Sequence, residues 1–221
     1  MRDAAAARVA EQLPTRFLRG YAGGKLKSDP VYRATATALR DRAQPLFDIG
    51  CGIGLLEFYL RETGFSQPMT GIDHDARKVE VARTLGARYA GLTFIAGDAR
   101  AAIPRDHNIT ALDVLHYFTE SEQRALVQSI VDAVPAGGVA IIRDAIRDGS
   151  MRYRITALQE MFSRAIRWLK AERLNFPTRE LIMQPFLDRG FSVQITPAWG
   201  GTPFNNYLFV CSRPSSGTTK A

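Results

Sequence analysis

The sequence predicts an α/β fold in which a mostly parallel seven-stranded sheet carries helices on both faces. Two observations favour it. Short apolar runs alternate with segments of helical periodicity, and the last two apolar runs are separated only by a short glycine-containing connection. Alternation is typical of parallel strands joined by helices, whereas the short connection predicts an antiparallel hairpin that closes the sheet edge. The strands are expected at 45–50, 69–73, 92–98, 108–114, 137–145, 191–199 and 206–212.

The segment before the first strand is expected to be helical. Asp29 followed by Pro30 is a helix-start signal for residues 31–42, and the glycine-rich, basic stretch 19–30 precedes it. Such a segment either covers the mouth of a pocket as a lid or packs on the sheet, and the sequence leaves both open.

The C-terminal third predicts two more helices. Residues 151–174 carry apolar side chains at three- and four-residue spacing, and Thr178 is placed to cap a shorter helix over 178–190. Pro185 should end or kink that helix. In the middle of the chain, Thr119 and Glu122 have the spacing of a capping box. One domain is expected, divided into a cap segment 1–44, a core 45–145, C-terminal helices and hairpin 146–213, and a tail 214–221.

Composition sets the broad class. The 221 residues are 46% hydrophobic and 23% charged, which is ordinary for a globular domain. The sequence has no run of 18 apolar residues, so no membrane span is predicted. The first residues lack a secretory signal, and a cytoplasmic protein is therefore expected. The two cysteines lie far apart in the sequence, which argues against a disulfide framework.

Three glycines follow the first strand at alternate positions, with Asp48 two residues before the first of them. A glycine-rich turn at the carboxyl end of a parallel strand lets the backbone approach a ligand closely. In the dinucleotide pattern G-x-G-x-x-G the third glycine comes one residue later than it does here. The turn therefore predicts a ligand site of another kind.

The segment Asp48–Gly54, D-x-G-x-G-x-G, resembles motif I of the class I S-adenosylmethionine-dependent methyltransferases, which have a Rossmann-like fold. The resemblance implies S-adenosylmethionine (SAM) as cofactor, with its methionine end at this turn. A carboxylate and backbone carbonyls suit the ammonium group of that end. The residues implied are Asp48, Ile49, Gly50, Cys51, Gly52 and Gly54.

Later motifs fall in the order that this family shows, over residues 40–145. Asp73 ends the second strand, where an acidic side chain accepts ribose hydroxyls, as it also does in dinucleotide-binding proteins. The resemblance implies that Asp98 binds the adenine amino group, that His74 lies beside the adenine and that backbone near Asp113 lines the methionine moiety. The further cofactor residues expected are Asp73, His74, Gly97, Asp98, Ala99, Asp113 and Val114.

Side chains just past the fourth and fifth strands are the catalytic candidates: His116, Tyr117, Arg143 and Asp144. The ordinary pKa of a histidine side chain suits a general base, so His116 either takes a proton from the acceptor or only orients it. Tyr117 is expected to line the wall of the cleft. Arg143 either pairs with Asp144 or holds a substrate carboxylate. No metal is expected.

The net charge of +7 and the pI of about 9.7 raise the question of a nucleic-acid partner. The basic residues are spread along the chain, and residues 113–117 lack the proline-containing tetrapeptide of exocyclic-amine methyltransferases. A small-molecule acceptor is therefore expected rather than nucleic acid. RNA methylation, a cofactor-binding protein without catalysis and an NAD enzyme with an atypical turn stay as alternatives, and the sequence is silent on oligomeric state.

A narrower resemblance links segments 20–33, 48–60 and 112–118 to stand-alone methyltransferases of bacterial pigment and aryl-polyene clusters. It implies an aromatic acceptor, which an acyl carrier protein could present to a basic face of helix 151–174. That face would contain Arg152, Arg154, Arg164, Arg167, Lys170 and Arg173, beside a wall with Met161, Phe162 and Trp168. Other aromatic residues that either line a pocket or belong to the core are Tyr21, Trp199 and Phe204.

Overall fold

The computed structural model describes residues 3–101, 103–150, 152–153, 175–199 and 205–215. All seven predicted strands form one sheet with the order β3-β2-β1-β4-β5-β7-β6. Strands β1 to β5 pair in parallel, and β7 runs antiparallel to both β5 and β6, so the predicted fold class is confirmed. The strands are β1 (Leu46–Ile49), β2 (Met69–Asp73), β3 (Leu92–Ala96), β4 (Asn108–Leu112), β5 (Val139–Ala145), β6 (Ser192–Pro197) and β7 (Asn206–Ser212).

The described helices lie on both faces of this sheet. They are α1 (Ala4–Gln12), α2 (Arg16–Ser28), α3 (Val31–Leu39), α4 (Leu55–Glu62), α5 (Ala76–Gly86), α6 (Glu120–Ala133) and α7 (Arg179–Asp188), with a 3-10 turn over Leu115–Tyr117. Leu46 of β1 belongs to the apolar core on the side of α1 to α5, and its neighbour Phe47 to the core beneath α6 and α7. Successive side chains of a strand point to opposite faces of the sheet, so β1 contributes to two separate cores.

The predicted helix signals can be checked one by one. The Thr119–Glu122 capping box is present at the start of α6, and Thr178 accepts a hydrogen bond from the Leu181 amide at the start of α7. Pro185 does not end α7, because the helix continues through it to Asp188, so of the two predicted effects only a kink is left. Burial of apolar side chains on both sides of Pro185 offsets the one backbone hydrogen bond that proline removes.

The long helix expected over 151–174 lies outside the described residues except for 152–153, and so does Phe204. Its predicted basic face and aromatic wall therefore stay predictions. Cys51 and Cys211 are both buried and free, in agreement with the expectation of no disulfide.

The chain reverses its direction of travel across the sheet between β1 and β4, which are adjacent strands at its centre. In open α/β sheets ligands bind outside the carboxyl ends of the strands at such a switch point. The residues that follow β1, β2, β4 and β5 are therefore brought to one edge, where the sequence placed the candidate site.

Gly71 in β2 makes room for the packing beneath this edge. A Cβ built on it would lie 2.3 Å from Glu57 Oε1 and 2.6 Å from Cys51 Cβ. We expect Gly71→Ala to lower the free energy of unfolding by about 1–3 kcal/mol through overpacking. Gly20→Ala in α2, where an added Cβ meets nothing within 4 Å, should raise it by up to about 1 kcal/mol. Urea unfolding of both variants tests this, and equal stabilities would contradict it.

Candidate active site

The turn after β1 requires glycine at all three alternate positions. Gly50, Gly52 and Gly54 have φ of 79°, 57° and 80°, in the left-handed region that side chains with a Cβ rarely adopt. A Cβ on Gly50 would also lie 2.4 Å from Val114 Cγ2, so the β1 turn and the loop after β4 touch. An added Cβ at Gly52 would meet nothing within 4 Å, which leaves open space at the middle of the turn.

Asp73 lies at the end of β2 and is tied to this turn. Its Oδ2 accepts a hydrogen bond from the Gly52 amide at 2.9 Å, and its Oδ1 accepts one from the Asp75 amide at 2.8 Å. The side chain of His74 is 88% exposed, with Nδ1 3.4 Å from Asp73 Oδ1. The carboxylate is thus held beside the turn, as expected for a ribose-binding residue.

The end of β3 supplies the residues expected around the adenine. The Gly97 amide donates to the Asp73 carbonyl at 3.0 Å, which links this loop to β2. The half-exposed Asp98 carboxylate accepts from the Arg100 amide and guanidinium, and the Arg100 side chain lowers the pKa of Asp98. Ala99 is buried.

Asp48 is buried beneath the turn, as are its neighbours Ile49 and Cys51. Its carboxyl accepts a hydrogen bond from the Thr110 hydroxyl of β4 and contacts Glu57 of α4. Burial raises the pKa of Asp48 to about 7 and that of Glu57 well above its usual value, so the pair retains a proton near neutral pH. Its partners here are protein groups, and the contact with the cofactor stays a prediction.

Arg143 and Asp144 do not pair with each other, which corrects one of the two expectations for Arg143. They are successive residues of β5, and Arg143 instead contacts Asp29 and Asp113. Burial alone would lower the pKa of the Arg143 guanidinium, but the charges of Asp113 and Asp29 raise it above its ordinary value. The guanidinium is therefore always charged and held by two carboxylates.

Asp144 pairs with His116. The His116 Nδ1 lies 2.7 Å from Asp144 Oδ1, and the His116 amide donates to Asp144 Oδ2 at 3.2 Å. Asp144 is fully buried, and its Oδ1 also accepts from the Ala145 amide at 2.8 Å. A carboxylate can only accept, so Nδ1 carries the hydrogen and the lone pair of the neutral imidazole lies on Nε2.

Aromatic rings surround His116. Tyr117 is 61% exposed and its ring centroid lies 4.3 Å from that of His116, while Phe176 lies 5.9 Å away and Tyr153 packs edge-on against Phe176. The Asn175 amide donates to the His116 carbonyl at 2.9 Å, which holds the two segments together.

The sequence did not indicate several of these partners. The sequence marks Asp29 only as a helix start, and Glu57, Thr110 and Phe176 carry no local signal. Asp29, Thr110 and Phe176 reach the site through contacts between segments far apart in the chain, and Glu57 reaches Asp48 from α4.

Residues 46–138 match the family model described as a methyltransferase domain. This part of the chain is similar to methyltransferase domains. It contains the glycine turn, the carboxylates after β2 and β3, and His116. A search of curated proteins finds no match for the chain.

Solved structures of methyltransferases share the fold. The apo form of the S-adenosylmethionine-dependent methyltransferase SibL is 22% identical, with a TM-score of 0.66 over 90% of this chain and 58% of that one. Magnesium protoporphyrin IX methyltransferase from Synechocystis PCC 6803 with bound SAH is 18% identical, with a TM-score of 0.65 over 96% and 97%. The pyocyanin biosynthetic protein PhzM is 16% identical, with a TM-score of 0.66 over 94% and 61%.

The fold of the predicted class I SAM-dependent methyltransferase family is confirmed, whereas the activity and the cofactor of the whole protein stay predictions. The present chain spans under two thirds of the length of SibL and PhzM. Among the described residues, no helix is long and apolar enough to cross a membrane. Within the same ranges, no group of three or more His, Cys, Asp or Glu side chains is arranged to hold a metal ion.

The buried Asp48 makes the stability of the protein depend on pH. Because the folded pKa lies above the unfolded value, the folded state keeps a proton that the unfolded chain releases, and stability falls as the pH rises from about 4 to about 7. We expect Asp48→Asn to flatten this decline by up to about 1.4 kcal/mol per pH unit. Denaturant unfolding between pH 4 and 8 measures it.

Asp75→Asn is the control, because Asp75 caps α5 at the surface and asparagine caps equally well. It should leave the decline with rising pH in place. An Asp48→Asn variant with the wild-type pH slope would show that Asp48 titrates normally in the folded protein.

Proposed function

We propose that the protein transfers a methyl group from SAM to a small, aromatic or acyl acceptor, and that His116 acts on the acceptor. The observation that carries this proposal is the His116–Asp144 pair. His116 follows β4 and Asp144 lies in β5, and β4 is the direct neighbour of β1, which leads into the glycine turn at the same edge of the sheet. A cofactor side and an acceptor side are thereby brought together at the switch point.

The residues on the cofactor side suit the groups that SAM carries. The open left-handed turn at Gly52 admits close approach of a ligand to the backbone, and Asp73 next to it suits ribose hydroxyls. When bound, SAM supplies an electrophilic methyl group on a sulfonium. The protein's own contribution is to fix the two reactants in line and to exclude water.

The acceptor side fits a general base. Asp144 fixes the His116 ring with Nδ1–H donating, so Nε2 is the atom that takes a proton from an acceptor hydroxyl or amine. A buried carboxylate also stabilises the imidazolium that forms, as the carboxylate of a catalytic triad does. Asp144 is thus a positioning residue for His116.

The aromatic rings of Tyr117, Phe176 and Tyr153 support an acceptor with a flat apolar surface. One similar structure is a pyocyanin biosynthetic protein, which agrees with a role in secondary metabolism. Presentation of the acceptor by an acyl carrier protein and a cytoplasmic location stay part of the proposal. Asp29 and Asp113 occupy both terminal nitrogens of Arg143, which disfavours the alternative that Arg143 grips a substrate carboxylate with both of them.

Binding of S-adenosylhomocysteine (SAH), the demethylated product, tests the cofactor side. We expect Gly50→Ala to weaken the binding of SAH, measured by calorimetry, at least tenfold, because the new Cβ collides with Val114 and strains the turn. Gly64→Ala is the matched control: its φ of 98° is also positive, but its Cβ would meet nothing within 4 Å. It should bind SAH within twofold of wild type, and NAD should bind neither protein.

Turnover tests the acceptor side. With an aromatic acceptor found by screening with methyl-labelled SAM, His116→Ala should lower kcat by about 10²–10⁴ and leave SAH affinity within twofold, because it removes only the base. Asp144→Asn should lower kcat to a smaller extent. His107→Ala, at a partly exposed histidine directly before β4, is the control and should match wild type. Unchanged kcat in His116→Ala would remove it as a base.

A further inference from the structure

Arg143 joins two segments that are far apart in the chain. Its Nη1 lies 2.7 Å from both carboxylate oxygens of Asp29, and its Nη2 contacts Asp113. Asp29 stands between α2 and α3, whereas Asp113 precedes Val114, whose side chain packs on Gly50. A continuous chain of contacts therefore runs from the N-terminal helices to the glycine turn.

The charge of this cluster suits an amino-acid group. Two carboxylates share one guanidinium, which leaves one negative charge in excess. Arg143 Nε is buried and has no hydrogen-bond acceptor among the described residues. A ligand with an ammonium and a carboxylate satisfies both features, and the methionine end of SAM carries both groups.

Helix α2 depends on its contacts for its position. Its 13 residues include Gly20, Gly23 and Gly24, and glycine is the least favourable helix residue apart from proline. It buries Ala22 and Leu26 against the rest of the protein and ends at Asp29. The ion pair of Asp29 with Arg143 therefore anchors the C-terminal end of a helix that is weak by itself.

We propose that Asp29, Arg143 and Asp113 form a latch through which the N-terminal helices close on the methionine end of the cofactor. This inference rests on the proposed function, since the ligand that it invokes is SAM or SAH. Asp29 is then a positioning residue: it fixes Arg143, and thereby Asp113 and the loop that contacts the turn. Bound cofactor in turn holds α2 in place.

The variant Asp29→Asn tests the latch. Asparagine keeps an oxygen for the hydrogen bond from the Val31 amide, 3.1 Å in length, and removes only the charge. We expect calorimetry to give an SAH Kd about tenfold above wild type, the loss expected for one buried charged hydrogen bond. In hydrogen exchange, SAH should slow the amides of residues 16–28 in wild type and not in this variant.

Arg8→Gln is the matched control. Arg8 of α1 pairs with Glu62 of α4, so it also ties the N-terminal helices to the core but does not reach the site. It should keep the SAH Kd within twofold of wild type and retain the protection of residues 16–28 by SAH. Asp113→Asn is a second test variant, since asparagine tolerates the φ of 60° at this position. It should raise the SAH Kd about as much as Asp29→Asn does.

The outcomes separate the two claims. If wild type gives no heat with SAH, the proposed function fails and the latch with it. If wild type binds SAH and Asp29→Asn binds it equally well, with the same protection of residues 16–28, only the latch is overturned.

Discussion

The close approach of the β1 turn to the loop after β4 is the constraint on which the site depends. Gly50 has no room for a Cβ because the Val114 side chain packs on it, and this contact joins the two central strands at their carboxyl ends. The turn places open backbone on one side, and the β4 loop carries Asp113 and His116 on the other. This contact therefore holds the cofactor residues of the turn next to the acceptor residues of the β4 loop.

Three sets of buried charged groups surround that contact, and each is stabilised differently. Asp48 and Glu57 retain a proton beneath the turn, Arg143 is shared between two aspartates, and Asp144 is held by backbone amides and His116. Burial makes each solution costly to break, which accounts for the fixed positions of the side chains. The charge that is available to a cationic ligand therefore comes from the Asp29–Arg143–Asp113 cluster rather than from Asp48.

The elements that rest on local pattern were predictable from the sequence. Alternating glycines after an apolar strand have one common structural cause, the need for left-handed backbone, and the strand and cap signals are equally local. What the sequence left undecided depends on which side chains meet across the fold: Arg143 chooses Asp29 and Asp113 over its neighbour Asp144 because successive strand residues point to opposite faces. That Pro185 does not end α7 also depends on the fold, since tertiary burial holds the helix together across it.

A crystal structure of the protein grown with SAH tests the central claim most directly. The account predicts that the ligand lies across the carboxyl ends of β1 and β4, with its ribose hydroxyls on Asp73, its amino-acid end at the turn of residues 50–54 and its sulfur on the side of His116. Density for SAH at any other place on the protein, or with its ribose remote from Asp73, would contradict it.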